Sequence, residues 1–169
     1  NRYKDGLVVL SGCMHSEIAR ELLNQRYEQA RAAADFYRSI FGPDFYLELQ
    51  HHPNIPAQKK VNDGLMALSK KLKIPLVATN DSHYLRPEDS EAQDVLMLIN
   101  TGADPNDPER LTMKGEDFSV RPPREMIETF KDTPEAIDNT QKIAEQCNFQ
   151  FELGKTHLPY FPLPADKNA

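Results

Sequence analysis

The sequence predicts an α/β fold built around parallel strands. Three short apolar runs, at residues 7–10, 45–49 and 74–79, have the length and the aliphatic or aromatic content of buried strands. Segments in which apolar residues recur at helical spacing lie between these runs, and the connections are short. Strands that alternate with helices in this way form βα units, in which neighbouring strands run parallel.

The first βα unit is predicted over residues 7–40. Its strand, residues 7–10, is a run of four aliphatic side chains. Its helix begins at Ser16, whose hydroxyl can cap the first turn, and apolar residues keep helical spacing to Ile40. The Gly-Pro-Asp sequence at 42–44 ends this helix, because proline cannot continue it.

The second and third βα units follow the same plan. Strand 45–49 precedes an amphipathic helix at 58–72, and strand 74–79 precedes a helix at 87–99. Pro75 lies near the start of the third strand, where a missing N–H does little harm. Three βα units with short connections thus account for the first hundred residues.

The composition changes after Asn100. Residues 101–117 contain Gly, Asp, Pro and Asn with little periodicity, which predicts an exposed loop, and two helices follow at 122–130 and 133–147. We therefore predict βα units, a loop, a helical segment and a Pro-rich extended linker, at residues 1–100, 101–121, 122–154 and 155–169.

Charge and hydropathy limit what the chain can bind. The net charge of −6, from 26 acidic and 20 basic residues, predicts poor DNA binding by this chain alone, because Lys and Arg must neutralise phosphates. The sequence has neither an apolar run long enough for a membrane span nor a secretory signal. Two distant cysteines do not form a disulfide framework, so we expect a reduced, cytoplasmic location away from membranes.

Side chains that can bind metal ions follow each predicted strand. They are Cys13 and His15 after the first strand, Glu48, His51 and His52 at the second, and Asp81 and His83 after the third. Functional groups in parallel α/β folds gather at the carboxyl ends of strands, and this mixture suits Zn²⁺ or, less selectively, Mn²⁺ or Fe²⁺. Each group also has a structural interpretation, as a small buried cysteine, a surface histidine pair or an ordinary turn. Spacing alone leaves both interpretations open.

Successive motifs resemble those of the PHP (polymerase and histidinol phosphatase) domain in bacterial DNA polymerase III alpha subunits. The early motifs are Gly-Leu-Val-Val-Leu-Ser-Gly-Cys at 6–13, Phe-Tyr-Leu-Glu-Leu-Gln at 45–50 and Ile-Pro-Leu-Val-Ala-Thr-Asn-Asp-Ser-His-Tyr at 74–84. Later motifs lie at 91–96, 134–140, 143–147 and 158–162. The motifs occur in order over nearly the whole chain, which makes the series more specific than any one of them.

The resemblance implies a distorted, mostly parallel TIM-like barrel, of which this chain forms a part, and a metal cluster with nine ligands. The Cys of Ser-Gly-Cys and the Asp and His of Asn-Asp-x-His correspond to Cys13, Asp81 and His83, which are the metal ligands we predict. The other six ligands come from earlier in the domain. Zn²⁺, or Mn²⁺ or Fe²⁺, is the expected metal, and we predict no catalytic residue in this chain.

Two positions depart from the family pattern. Met14-His15 replaces the usual Leu-Gly, and Pro53 replaces a glycine that often follows the histidine. Any roles of His15, His51 and His52 are therefore left open.

The resemblance also implies a function in DNA replication. The full enzyme would synthesise DNA at a Mg²⁺ centre beyond Ala169, and would contact DNA only as a whole. The PHP region would either hydrolyse phosphodiesters as a 3′–5′ proofreading exonuclease or serve as a scaffold for a separate proofreading exonuclease subunit, with other replicase subunits as further partners. The alternative is a free-standing PHP-type phosphoesterase acting on a small phosphate ester, which would have no need of the region after Asn100.

Overall fold

Three parallel strands organise the structure, a computed structural model that describes residues 3–159. They are β1 (Val9–Leu10), β2 (Phe45–Leu49) and β3 (Leu76–Ala78). The strands lie side by side in this order, with Val9 paired to Phe45 and Leu47 paired to Leu76. The predicted α/β fold with parallel strands is confirmed, and the open three-stranded sheet is what part of a barrel would provide.

Six α-helices lie in the described part of the chain. They are α1 (Glu17–Leu23), α2 (Tyr27–Phe41), α3 (Pro56–Leu72), α4 (Ser90–Thr101), α5 (Pro123–Thr129) and α6 (Pro134–Gln146). Single 3₁₀ turns at Gly42–Asp44 and Pro87–Asp89 precede β2 and α4. No helix within residues 3–159 combines the length and the apolar character needed to cross a membrane.

The prediction of one helix over residues 16–40 is wrong, because the chain breaks into α1 and α2. Ser16 caps α1 as expected, since its Oγ accepts a hydrogen bond from the Ala19 N–H. Gln25, however, has a φ of 61°, in the left-handed region that ends a helix. In the resulting hairpin the two helices pack against one another and against α3, and α2 also contacts β2.

The apolar core lies on one face of the sheet. Phe45, Leu47 and Leu49 alternate along β2 and pack with buried side chains of α1, α2, α3 and α6. Glu48 therefore projects to the opposite face, where its carboxylate bonds the loops that follow β1 and β3. Burial of a residue such as Leu47 stabilises the fold by about 1.5–3 kcal/mol.

Helix α3 packs unusually close to α1. A Cβ atom added at Gly64 would lie 2.8 Å from Cδ2 of Leu22, so the Leu22 side chain would have to move to admit any larger residue at this crossing. Pro56 begins α3 at the first helical position, and Lys73, with φ 58°, ends it. Pro56 and Lys73 thus define the two ends of α3, which packs against β2.

The region after α4 is only partly an exposed loop. The exposed loop predicted over 101–117 is wrong at its end, where Glu116 is buried, and Phe118, Ser119 and Arg121, which follow that loop, are buried as well. Residues 155–159 of the predicted linker are exposed and form no helix or strand, and the rest of that linker lies outside the described residues.

Candidate functional site

The carboxyl ends of the three strands meet at one edge of the sheet and are joined there by Glu48. One Glu48 carboxylate oxygen accepts a hydrogen bond from the Gly12 N–H at 3.1 Å, and the other accepts one from the Thr79 hydroxyl at 2.6 Å. The Glu48 N–H in turn donates to the Ser11 hydroxyl at 2.9 Å. The loops that follow β1 and β3 are thus both anchored to the strand between them.

Asp81 lies between two histidines at this edge. Its Oδ2 is 3.0 Å from His52 Nε2, and its Oδ1 is 3.4 Å from His83 Nε2. The hydrogen bond from His52 lowers the pKa of the Asp81 carboxyl, against the opposing effect of burial. Asp81 also has a φ of 50°, a conformation that aspartate tolerates better than most residues. A His–Asp–His cluster with an anionic centre results.

Phe118 covers this cluster. Its ring centroid lies 4.7 Å from that of His52 and 5.3 Å from that of His83, which it meets edge to face. The backbone is fixed as well, because the His83 N–H donates to the Phe118 carbonyl at 2.8 Å. The Phe118 N–H donates to the Tyr84 hydroxyl at 3.0 Å. We call residues 116–121 the strap, since this segment crosses the cluster and is bonded to its loops.

Arg121 fastens the strap to the loop after β2. Its buried guanidinium donates to the His51 carbonyl at 2.9 Å and to the Asp117 carbonyl at 2.8 Å. Asn80 completes the connection on the other side, by donating to the Arg121 carbonyl at 3.0 Å. Burial, together with the positive charge of Arg121, lowers the pKa of His51.

The three predicted ligands are only partly brought together. Asp81 and His83 are in contact, whereas Cys13 is half-buried on the neighbouring loop after β1. Within residues 3–159, no group of three or more His, Cys, Asp or Glu side chains is arranged to hold a metal ion. The assignment of Cys13, Asp81 and His83 as metal ligands therefore stays a prediction. The contact between the Asp81 carboxylate and the His83 imidazole agrees with that assignment, whereas the position of the Cys13 thiol gives it no support.

Sequence reasoning left the role of His52 open and missed two further residues of this site. His52 is buried and contacts Asp81. Phe118 and Arg121 lie in a segment with loop composition, and their contacts with residues 34 to 70 positions away carry no local signal.

The sequence is similar to a known domain family and to known proteins. The PHP domain family matches residues 1–52. The chain is 41% identical over 168 residues to the DNA polymerase III subunit alpha of Borreliella burgdorferi, which covers 99% of this chain and 15% of that protein. The subunits of Campylobacter jejuni and Thermus aquaticus are 40% and 38% identical, covering 94% and 96% of this chain.

The matched segment is a small part of each relative. This chain spans 14–15% of the length of these three subunits. The similarity also continues well past residue 52, through α3 to α6, and so is not limited to the region that the PHP family matches. The chain therefore belongs to the family of bacterial DNA polymerase III alpha subunits, and its first 52 residues belong to the PHP domain.

Proposed function

We propose that the protein containing this chain carries out template-directed DNA synthesis in the bacterial cytoplasm. The observation that supports this proposal is the continuous similarity to polymerase III alpha subunits across 94–99% of the chain, including the helical region after α4. A free-standing phosphoesterase would have no need of that region. The nucleotidyl-transfer centre and its Mg²⁺ ions would lie outside these 169 residues.

Within this segment we propose a metal-binding role for Asp81 and His83, with Cys13 as a third ligand. A carboxylate and an imidazole in contact are a donor pair that Zn²⁺, Mn²⁺ or Fe²⁺ accepts. When bound, such an ion supplies Lewis-acid chemistry towards a phosphoryl group. His52 would hold the other oxygen of Asp81, and so fix the direction in which that carboxylate points.

Two uses of such a site follow from the proposal. The segment would either hydrolyse phosphodiesters at a mismatched 3′ end or support a separate proofreading exonuclease subunit within the replicase. Phe118 and the strap would act in both cases by excluding water from one side of Asp81 and His83 and by holding their loops together.

The experiment uses the full-length alpha subunit that contains this chain. Wild-type protein is expected to extend a primer on a DNA template, and failure to do so would contradict the polymerase proposal. Bound metal is then measured by elemental analysis in the wild type and in Cys13→Ala, Asp81→Asn and His83→Ala, with the exposed His157→Ala as a matched control.

Metal content is expected to fall in the three site variants and to remain unchanged in the control, while primer extension is retained in all four. Equal metal content in Asp81→Asn, His83→Ala and the wild type would refute the metal site. Loss of 3′-end hydrolysis in these variants would indicate an exonuclease, whereas retained binding of a separate exonuclease without hydrolysis would indicate a scaffold.

A further inference from the structure

The Glu48 carboxylate contacts both loops on which the predicted metal ligands lie. Its Oε2 accepts a hydrogen bond from the N–H of Gly12, the residue directly before Cys13. Its Oε1 accepts one from the hydroxyl of Thr79, which follows β3 and precedes Asp81 by two positions. A single side chain on the middle strand is therefore bonded next to the predicted ligands of both neighbouring loops.

Backbone hydrogen bonds fix the same two loops to β2. The Ser11 N–H donates to the Tyr46 carbonyl at 2.9 Å, and the Ser11 hydroxyl accepts from the Glu48 N–H at 2.9 Å. On the other side, the Thr79 N–H donates to the Leu49 carbonyl at 3.0 Å. In each loop the Glu48 carboxylate adds a side-chain bond to these backbone bonds, shortly before the chain reaches a predicted ligand.

The carboxylate of Glu48 is occupied by donors from the ends of all three strands. Besides the bonds from Gly12 and Thr79, its Oε1 accepts from Nε2 of Gln50, the residue directly after β2, at 3.1 Å. A carboxylate has two acceptor oxygens, whereas a glutamine amide in its place would have one. Glu48 is thus suited to hold neighbouring loops together rather than to bind an ion itself.

We propose that Glu48 is a positioning residue of the metal site, which sets the place of the Cys13 loop relative to Asp81 and His83. This inference rests on the proposed metal-binding function of those residues. Groups that orient metal ligands without touching the ion change metal affinity by about 10–100-fold when they are replaced. A carboxylate that only stabilised the sheet would affect unfolding without affecting how the ligands share an ion.

The test measures Co²⁺ binding by the full-length alpha subunit after its native metal has been removed with a chelator. A cysteine thiolate bound to Co²⁺ gives a charge-transfer absorption in the near ultraviolet, and Cys13→Ala supplies the baseline for it. Glu48→Met, which removes both acceptor oxygens, should weaken Co²⁺ binding by about 10–100-fold and lose this absorption. Glu48→Gln should retain part of both, because its amide oxygen can still accept from Gly12.

Thr79 provides a matched pair of variants that leaves the charge of Glu48 in place. Thr79→Val removes the hydroxyl that donates to Glu48 and should weaken Co²⁺ binding. Thr79→Ser keeps a hydroxyl and should bind Co²⁺ as the wild type does. Thermal unfolding followed by circular dichroism checks that each variant is folded, and the Thr79 pair decides the result if Glu48→Met does not fold.

Unchanged Co²⁺ affinity and absorption in Glu48→Met, or in Thr79→Val where Glu48→Met does not fold, would overturn the proposal. Equal losses in Glu48→Met and Glu48→Gln with none in Thr79→Val would overturn it too, because the charge rather than the hydrogen bonds would then matter. A wild-type spectrum identical to that of Cys13→Ala would likewise overturn it.

Asp81→Asn separates this proposal from the one on which it rests. If Asp81→Asn binds Co²⁺ as tightly as the wild type, the proposed metal site itself fails. If Asp81→Asn binds Co²⁺ more weakly while the Glu48 and Thr79 variants do not, the metal site stands and only the positioning role of Glu48 is refuted.

Discussion

The sheet region, residues 7–79, and the loop region, residues 80–121, are adjacent in the structure but are held by different interactions. In the sheet region, Phe45 and Leu47 are completely buried in the apolar core between the sheet and the helices. In the loop region, order depends on polar contacts, among them those of Arg121 with two backbone carbonyls and of Asp94 with Arg110. Apolar packing thus builds the platform, and directional hydrogen bonds position the functional groups on it.

This difference has a consequence for mutational sensitivity. Apolar burial depends on area and tolerates small movements, whereas a buried carbonyl that loses its donor is left unsatisfied. Substitutions in the sheet region should therefore lower global stability, and substitutions in the loop region should increase local opening around Asp81 with less effect on the rest of the chain.

The largest effect is expected in the sheet region. Phe45→Ala removes a fully buried ring and should lower the free energy of unfolding by about 3–5 kcal/mol. Phe36→Ala, at an exposed ring on α2, should change it by only about 0.5 kcal/mol. Urea denaturation followed by circular dichroism measures both, and similar losses in the two variants would contradict the assignment of the core.

A smaller, local effect is expected at Arg121. Arg121→Met removes the hydrogen-bond donors to the His51 and Asp117 carbonyls. Leaving a buried carbonyl without a donor costs about 1–3 kcal/mol. Hydrogen exchange of the His83 N–H, which donates to the Phe118 carbonyl, should accelerate. The exposed Arg124→Met is the control. Unchanged exchange at His83 would show that the strap does not depend on Arg121.

The contact of Asp94 should depend on pH only in strong acid. Hydrogen bonds from Arg110 and then from Thr112 hold the pKa of Asp94 well below its ordinary value. Its stabilising contribution is therefore complete above the pKa of an unfolded aspartate, about 3.9, and is lost as pH falls through the lower folded value. The ¹³C shift of its carboxyl should remain that of a carboxylate at about pH 4. Protonation near its ordinary pKa would contradict the contact.

Asp94→Asn tests the same contact without a pH change. The substitution removes the charge that pairs with Arg110 but keeps a side chain of similar size. Amide exchange in residues 110–114 should become faster at neutral pH, while the sheet region is unaffected. Faster exchange in β2 and β3 as well would mean that the two regions do not behave independently.

The smallest effect is expected on the surface of the sheet region. The Tyr37 hydroxyl donates to Glu17 at 3.0 Å, and this bond raises the pKa of Tyr37. The contribution of this hydrogen bond to the stability of the fold is present below the ordinary tyrosine pKa of about 10 and is lost as pH rises through the raised pKa of Tyr37. At neutral pH Tyr37→Phe should lower the free energy of unfolding by about 0.5 kcal/mol. Glu17→Gln, which changes the acceptor of the same hydrogen bond, is measured for comparison.

Local sequence signals predicted the strands and most helix boundaries, because these depend on periodicity and on caps. Ser16 illustrates this, since it caps α1 as its chemistry favours, whereas Pro56 begins α3 two residues before the predicted start at residue 58. The break between α1 and α2 was not predictable in the same way. Gln25 adopts a positive φ that no glycine or asparagine signalled at that position.

The candidate site was predicted only in part. Asp81 and His83 were identified from their place after β3 and from the family resemblance, and they are in contact. The contribution of the strap depends on Phe118 and Arg121, which meet the cluster through long-range packing rather than through sequence spacing. The place of Cys13 as a ligand is tested by the metal measurements proposed above.

The parallel pairing of the strands also determines when each strand can find its partner while the chain is being synthesised. Val9 pairs with Phe45, 36 positions later, and Leu47 pairs with Leu76, 29 positions later. At a bacterial elongation rate of about 5–20 residues per second, β1 waits roughly 2–7 s before its partner has been made. Helices form in about a microsecond, so the segments of α1 and α2 can sample helical structure long before any strand is paired. Without the sheet their apolar faces stay uncovered, so both helices remain marginal until β2 has been made.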